Sequence, residues 1–206
     1  MKLNAQHIIA ESLSRFKHLG IRSVSMDDIS GMLGISKKTL YQFIKDKKDL
    51  VYKCMTFFLN QERKTCTKIL EDERLNPVEQ LIEIARHHSR GMKDMNPSAL
   101  YDLQKYHPKS WQLMREYKED FVLNNIKQNL LRGQEQGYYR SEIEVDVISK
   151  MYITLVDSIM NPQSNISGDR HFKELAAILI DYHLHAITTF KGRECLKQIE
   201  EKRANK

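Results

Sequence analysis

The chain has 206 residues, 41% hydrophobic and 29% charged, with only eight glycines and four prolines; this excludes disorder as the default and argues against a many-turned β architecture. The net charge of +6 gathers at the two ends, where residues 1–50 hold nine Lys/Arg against five acids and residues 191–206 hold six against three. A basic end points to a polyanionic partner, or else to a merely solvated lysine-rich surface. The longest apolar run, Leu175 to Ile180, is far short of the roughly 18 residues a membrane span requires. The opening MKLNAQHIIAESLSRF meets charge too early for a signal peptide, and Cys54, Cys66 and Cys195 form no CxxC pair, so a cytoplasmic protein is expected.

Helical periodicity starts at once. Ile9, Leu13 and Phe16 share a face of a helix from Ala5 to Leu19 that Gly20 ends. Ser25-Met26-Asp27-Asp28 has the form of a capping box, which predicts a second, short helix from Met26 that presents Ile29, Met32 and Leu33 inward and stops at Gly34. Ser36 caps a third helix, Lys37 to about Ile44, with Leu40, Phe43 and Ile44 facing inward. A fourth begins near Asp46 or Lys47 and shows no break until about Arg74, a length of roughly 40 Å.

Asn76-Pro77 opens the next helix, with Val78, Leu81, Ile82, Ala85, His88 and Met92 on one face. Asn96-Pro97 opens another, which His107-Pro108 closes, and Trp111, Met114, Tyr117 and Phe121 form a further stripe ending around Gly133 to Gly137. Asp146 to Met160 carries Ile148, Met151, Tyr152, Leu155, Val156 and Ile159. Asp169 to Phe190 is apolar nearly all round, so it must be covered on more than one side, most simply by a second copy of the chain. The charged tail from Lys191 is expected to fray. The class is all-α, with nine or ten helices.

Two short helices joined by the Met32-to-Ser36 turn, with a supporting helix before them, have the spacing of a helix-turn-helix, whose second helix enters the DNA major groove. Lys37 and Lys38 stand in the first turn of that second helix, where the dipole disfavours cations by about 0.3–1 kcal/mol each. Phosphates would reverse the sign of that effect. Lysine can donate to guanine O6 and N7, and Gln42 can pair with adenine N6 and N7.

The segment Ser25 to Leu50, SMDDISGMLGISKKTLYQFIKDKKDL, resembles the DNA-binding segment of the TetR family of bacterial transcriptional regulators. The likeness rests on Ser25, Asp28-Ile29, Gly34-Ile35-Ser36, Thr39-Leu40-Tyr41, Phe43-Ile44 and Lys47 to Leu50; Lys38 departs from it where a small residue is common, and Ile44 where phenylalanine is usual. The resemblance implies that Thr39, Tyr41 and Lys47 contact phosphates, that Ser25 caps the second helix near the DNA backbone, and that Lys37, Lys38 and Gln42 are the candidates for base edges; Ser36, the cap of the third helix, is a further candidate DNA-binding residue. It implies a DNA-binding domain over residues 1–50 and an effector-binding and dimerisation domain over 51–206. A small-molecule effector would move the fourth helix like a lever and change the spacing of two heads on a palindromic operator.

In the larger part, the candidate effector residues are His88, Met92, Tyr101, Trp111, Met114, Tyr117, Phe121 and Tyr152, although such stripes suit an ordinary core equally well. Ile148, Leu155, Leu179, His183 and Ile187 are the candidate dimer residues. No HExxH, G-x-S-x-G, P-loop or dinucleotide fingerprint occurs, and neither His87-His88 nor His183/His185 makes a shared metal face, so no catalytic residue, cofactor or metal is expected. The expected function is a homodimeric repressor released from operator DNA by an effector. The alternatives are a TetR-like architectural factor without a small ligand, and an enzyme or interaction module with a relic helix-turn-helix.

Overall fold

The computed structural model describes residues 4–92, 95–160 and 172–204, and among them the chain is helical with no strand, as its composition leads one to expect. The helices are α1 (Ala5–Leu19), α2 (Met26–Met32), α3 (Lys37–Leu40), α4 (Lys47–Leu70), α5 (Pro77–Gly91), α6 (Pro97–Tyr106), α7 (Pro108–Glu116), α8 (Leu123–Glu135), α9 (Val145–Met160), α10 (Phe172–Ile187) and α11 (Phe190–Ala204). A π-helical stretch, Tyr117–Val122, joins α7 to α8 without a break.

The described residues fall into two compact units. The first comprises Met1–Thr65 with Asp94–Lys118, so α6 and α7 belong with the three N-terminal helices. Its core holds Ile8, Phe16, Val24, Ile29, Leu40, Ile44, Leu50 and Leu103, each at most 4% exposed. The second comprises Cys66–Lys93 with Glu119–Lys206. Val78, Leu81, Ile82, Ile126, Leu130, Leu184, Ile187 and Leu196 form its centre, and α10 packs on both α5 and α9.

A buried polar network runs through that second core. Tyr139 donates through its hydroxyl to Asn129 Oδ1 at 3.1 Å, Asn129 Nδ2 donates to Pro77 O at 2.9 Å, and Gln80 Nε2 donates to Leu70 O at 2.9 Å. Because each of these buried groups has a partner, the network fixes its neighbours instead of weakening them. Gly133 is required beside it, since a Cβ there would lie 1.9 Å from the Tyr139 ring.

Four elements depart from expectation. Only Lys37–Leu40 of the third helix is α-helical; beyond it the bonds tighten to three-residue spacing, from Gln42 N to Thr39 O and from Phe43 N to Leu40 O. The fourth helix stops at Leu70, where Gln80 takes the freed carbonyl and Asp72 turns back to Arg74 through bonds of 2.7–3.1 Å.

The tail does not fray between Phe190 and Ala204, but forms α11. Its start is tied down by Lys191 Nζ donating to Gln136 O at 2.8 Å and Thr189 Oγ1 donating to Gly137 O at 2.7 Å, while Leu196 is buried. The break at Thr188 and Thr189 divides what periodicity reads as one helix to Phe190, and the expected start at Asp169 lies outside the described residues.

Candidate nucleic-acid interface

The geometry of the head is set by its caps. Asp28 N donates to Ser25 Oγ at 3.1 Å, and Ser25 N donates to Asp28 Oδ2 at 2.7 Å, closing the capping box at the start of α2. That backbone bond, the largest cause, holds the Asp28 carboxyl below the usual carboxylate range. Gly34 at φ 64° makes the turn, a conformation that costs glycine little, and Ile35 N donates to Ser30 O at 3.0 Å. Ser36 then caps α3 by accepting from Thr39 N at 3.0 Å, and its hydroxyl also meets Thr39 Oγ1 at 2.9 Å.

Leu40 and Ile44 anchor the α3 segment from below, at 0% and 1% exposure, and Phe43 is half-buried. Their burial leaves Lys38, Tyr41 and Gln42 facing solvent; Tyr41 is 48% exposed, so it is not a core residue. Lys37 is exposed too, but Asp27 on α2 meets its ammonium at 2.6 Å and raises its proton affinity through that bond. In the free protein this carboxylate already offsets the cation, and α3 is too short for much dipole. Lys37 is thus a smaller anomaly than its sequence position implies, whereas Lys38 faces solvent.

Lys47, at the start of α4, is half-buried, and its Nζ donates to Arg22 O at 3.4 Å. Burial lowers its proton affinity, and the charge of Asp102 acts in the opposite sense. Lys45 and Lys48 are exposed beside it. Asp46 caps α4 by accepting from Asp49 N, while Asp49 accepts from Lys45 N, each at 2.8 Å.

The eight aromatic, methionine and histidine candidates do not lie in one unit. Tyr101, Trp111, Met114 and Tyr117 are in the first; His88, Met92, Phe121 and Tyr152 are in the second. Tyr101 accepts from Lys105 Nζ at 2.7 Å, and the Lys118 ammonium lies 5.8 Å from the centre of the Trp111 ring. Tyr117 is 7% exposed, with the Arg63 guanidinium 5.6 Å from its ring. In the second unit Tyr152 stacks on His183 at 4.3 Å, and His88 Nε2 lies 3.5 Å from Cys66 Sγ. That thiol and imidazole are types that could hold a soft cation. Spacing along one helix does not reveal the pair, because its members come from α4 and α5.

Of the expected dimer residues, Leu155 is exposed, Ile148 packs against the core of the second unit, and Leu179, His183 and Ile187 are buried within the chain at 9%, 6% and 1% exposure. The exposed apolar side chains on these helices are Val147, Met151 and Leu155 on α9, and Ile178 and Tyr182 on α10, at 36–66%. Several stand one residue before those expected, a rotation of about 100° that a helix apolar all round does not disclose.

Sequence reasoning also missed Asp102, 5% exposed, which accepts from Arg22 N at 2.8 Å. It lies on the stripe of Ala99 and Leu103, and an acid on such a stripe is the signal that would have found it.

Comparison with solved structures places this architecture. Regulatory protein TetR from Rhodobacter sphaeroides superposes with a TM-score of 0.74 at 14% identity, covering 91% of this chain and 100% of that one. The chain has the fold of the TetR-family regulators. A transcriptional regulator from Saccharomonospora viridis, solved in complex with choline, matches this TetR-like fold equally well, with a TM-score of 0.74, 18% identity and coverage of 90% and 97%. In sequence, YvaF, an uncharacterized HTH-type transcriptional regulator of Bacillus subtilis (strain 168), is 27% identical over 184 residues, 89% of this chain and 95% of the relative. No family model matches.

Proposed function

We propose that the chain is a DNA-binding transcriptional regulator that acts as a homodimer, with residues 1–50 holding operator DNA and residues 51–206 serving effector binding and dimerisation. The observation that carries this reading is the capped α2–turn–α3 unit, whose buried Leu40 and Ile44 leave Lys38, Tyr41 and Gln42 exposed together. Lys37, Lys38 and Gln42 face base edges; Thr39, Tyr41 and Lys47 meet phosphates, with Ser25 and Ser36 near the backbone. Lys37 exchanges Asp27 for DNA on binding. The TetR-like fold and the HTH-type relative support the same reading.

The regulator is a repressor. A small apolar or amphipathic effector releases it from a palindromic operator by shifting α4, so that two heads no longer match major grooves roughly 34–36 Å apart. Support for a small ligand comes from the choline complex of the Saccharomonospora viridis protein. A second copy covers the exposed apolar side chains Val147, Met151, Leu155, Ile178 and Tyr182. The protein works in the cytoplasm and is not an enzyme; no helix among the described residues is long and apolar enough to cross a membrane.

A gel shift on DNA flanking the chain's own gene, with salt varied, tests the proposal. Sequence-specific binding that weakens steeply with salt is expected. Its absence would remove the regulator reading.

A further inference from the structure

The turn between α1 and α2 is gripped by α6 along the length of that helix. At the α6 N-terminus, Asn96 N donates to Lys17 O at 2.7 Å. In its first turns, Ser98 comes close to Gly20 (φ 85°) and Asp102 lies in ordinary contact with it: a Cβ there would lie 2.4 Å from Ser98 Oγ and 3.6 Å from Asp102 Oδ2. Glycine is favoured here by its backbone angle, which side-chain-bearing residues rarely adopt. At the far end, Arg22 Nη1 donates to Tyr106 Oη at 3.1 Å, with the guanidinium 4.8 Å from the ring centre.

Arg22 is the point where two helices meet the turn's backbone. Its N–H donates to Asp102 Oδ2 at 2.8 Å, and its C=O accepts from Lys47 Nζ at 3.4 Å. One bond comes from α6 and the other from the first turn of α4. Burying a carboxylate is costly unless its oxygens are engaged, and the engagement here is with the backbone of the head.

We infer that Asp102 is a positioning residue for DNA binding: from α6 it fixes the Arg22 peptide, and so holds the α1–α2 turn and Lys47 in the geometry that presents α2 and α3 to a duplex. This rests on the DNA-binding function proposed above. Asp102 itself touches no DNA. Its effect passes through Arg22, so it depends on an acceptor at that position more than on negative charge. An asparagine can still accept from the Arg22 N–H; an alanine leaves that donor without its partner.

The test uses the full-length chain with Asp102→Ala and Asp102→Asn, on a duplex that the unaltered chain selects from a random-sequence pool. Amide exchange at Arg22 is measured without DNA. Asp102→Ala is expected to weaken binding about tenfold and to speed exchange at Arg22 and its neighbours selectively, while Asp102→Asn stays within about threefold in both. A general loss of stability would instead speed exchange throughout the first unit. If Asp102→Ala does not fold, Asp102→Ser, too short to reach the amide, takes its place.

Three results overturn the inference. One is binding by the alanine or serine variant within about twofold of the unaltered chain, another is an asparagine variant as weak as alanine, and the third is unchanged protection at Arg22. Failure of the unaltered chain to select any duplex would overturn the DNA-binding reading itself, and this role with it, whatever the exchange shows. The two failures are thus distinguishable.

Discussion

Asp102 in the first unit and His183 in the second are both polar side chains on otherwise apolar helix faces, 5% and 6% exposed, yet they are satisfied differently. Asp102 accepts a backbone hydrogen bond from the turn before α2. His183 Nε2 has no hydrogen-bond partner among the described residues, and burial pushes its imidazole down to about 4, so it is neutral near pH 7. In the same unit, Asn129, Gln80 and Tyr139 are buried with partners. The difference separates polar groups that tie elements together from one that the fold merely tolerates, and it dictates which substitutions will be costly.

The largest effect should come from the satisfied network. Tyr139→Ala removes a ring at 1% exposure and is expected to cost about 3–5 kcal/mol in urea unfolding, whereas Tyr139→Phe, which only leaves Asn129 Oδ1 unpaired, should cost about 1–2. A full-size loss from the phenylalanine variant would show that the hydrogen bond, not packing, dominates.

His183 predicts a pH dependence of opposite origin. Its folded value lies below the ordinary histidine range, so the unfolded chain binds the extra proton first. The associated stability is complete above about pH 6.5 and is lost as pH falls toward 4, by roughly 2–3 kcal/mol. His183→Phe should flatten that part of the stability–pH curve; an unchanged slope would assign it to other groups. Smaller again are the caps: Ser36→Ala should cost about 1 kcal/mol in unfolding and weaken DNA binding, because it loosens the turn that presents Lys38.

On DNA, Lys47→Ala should weaken all sequences alike and lower the salt slope by about 0.9, while Lys38→Ala should change preference at one operator position. Binding measured against salt on altered operators separates the two. Equal, sequence-independent losses would put both lysines on phosphates.

What was legible in the sequence was local. Ser25 with Asp28, Ser36, Asn76-Pro77, Asn96-Pro97 and His107-Pro108 each carry a cap or a break within a few residues, and the helices begin or end where those signals stand. The exposure of Tyr41 followed from Leu40, Phe43 and Ile44 already filling the inward face. What was not legible depends on distant partners. Helix α4 ends where Gln80 donates to its last carbonyl, and α11 holds because Gln136, Gly137 and Tyr138 supply acceptors about fifty residues earlier in the chain. Gly192 reads as a helix weakness, yet a Cβ there would lie 2.4 Å from Tyr138 O. Asp102 and Arg22 are eighty residues apart.

Whether the exposed edge of the α2–α3 unit reads DNA is decided by selection of duplexes from a random pool by the full-length chain, run beside Lys38→Ala. The unaltered chain should enrich a palindromic sequence, and Lys38→Ala a motif altered at one position in each half-site. Enrichment of no sequence by the unaltered chain, or of the identical motif by both, would contradict that role.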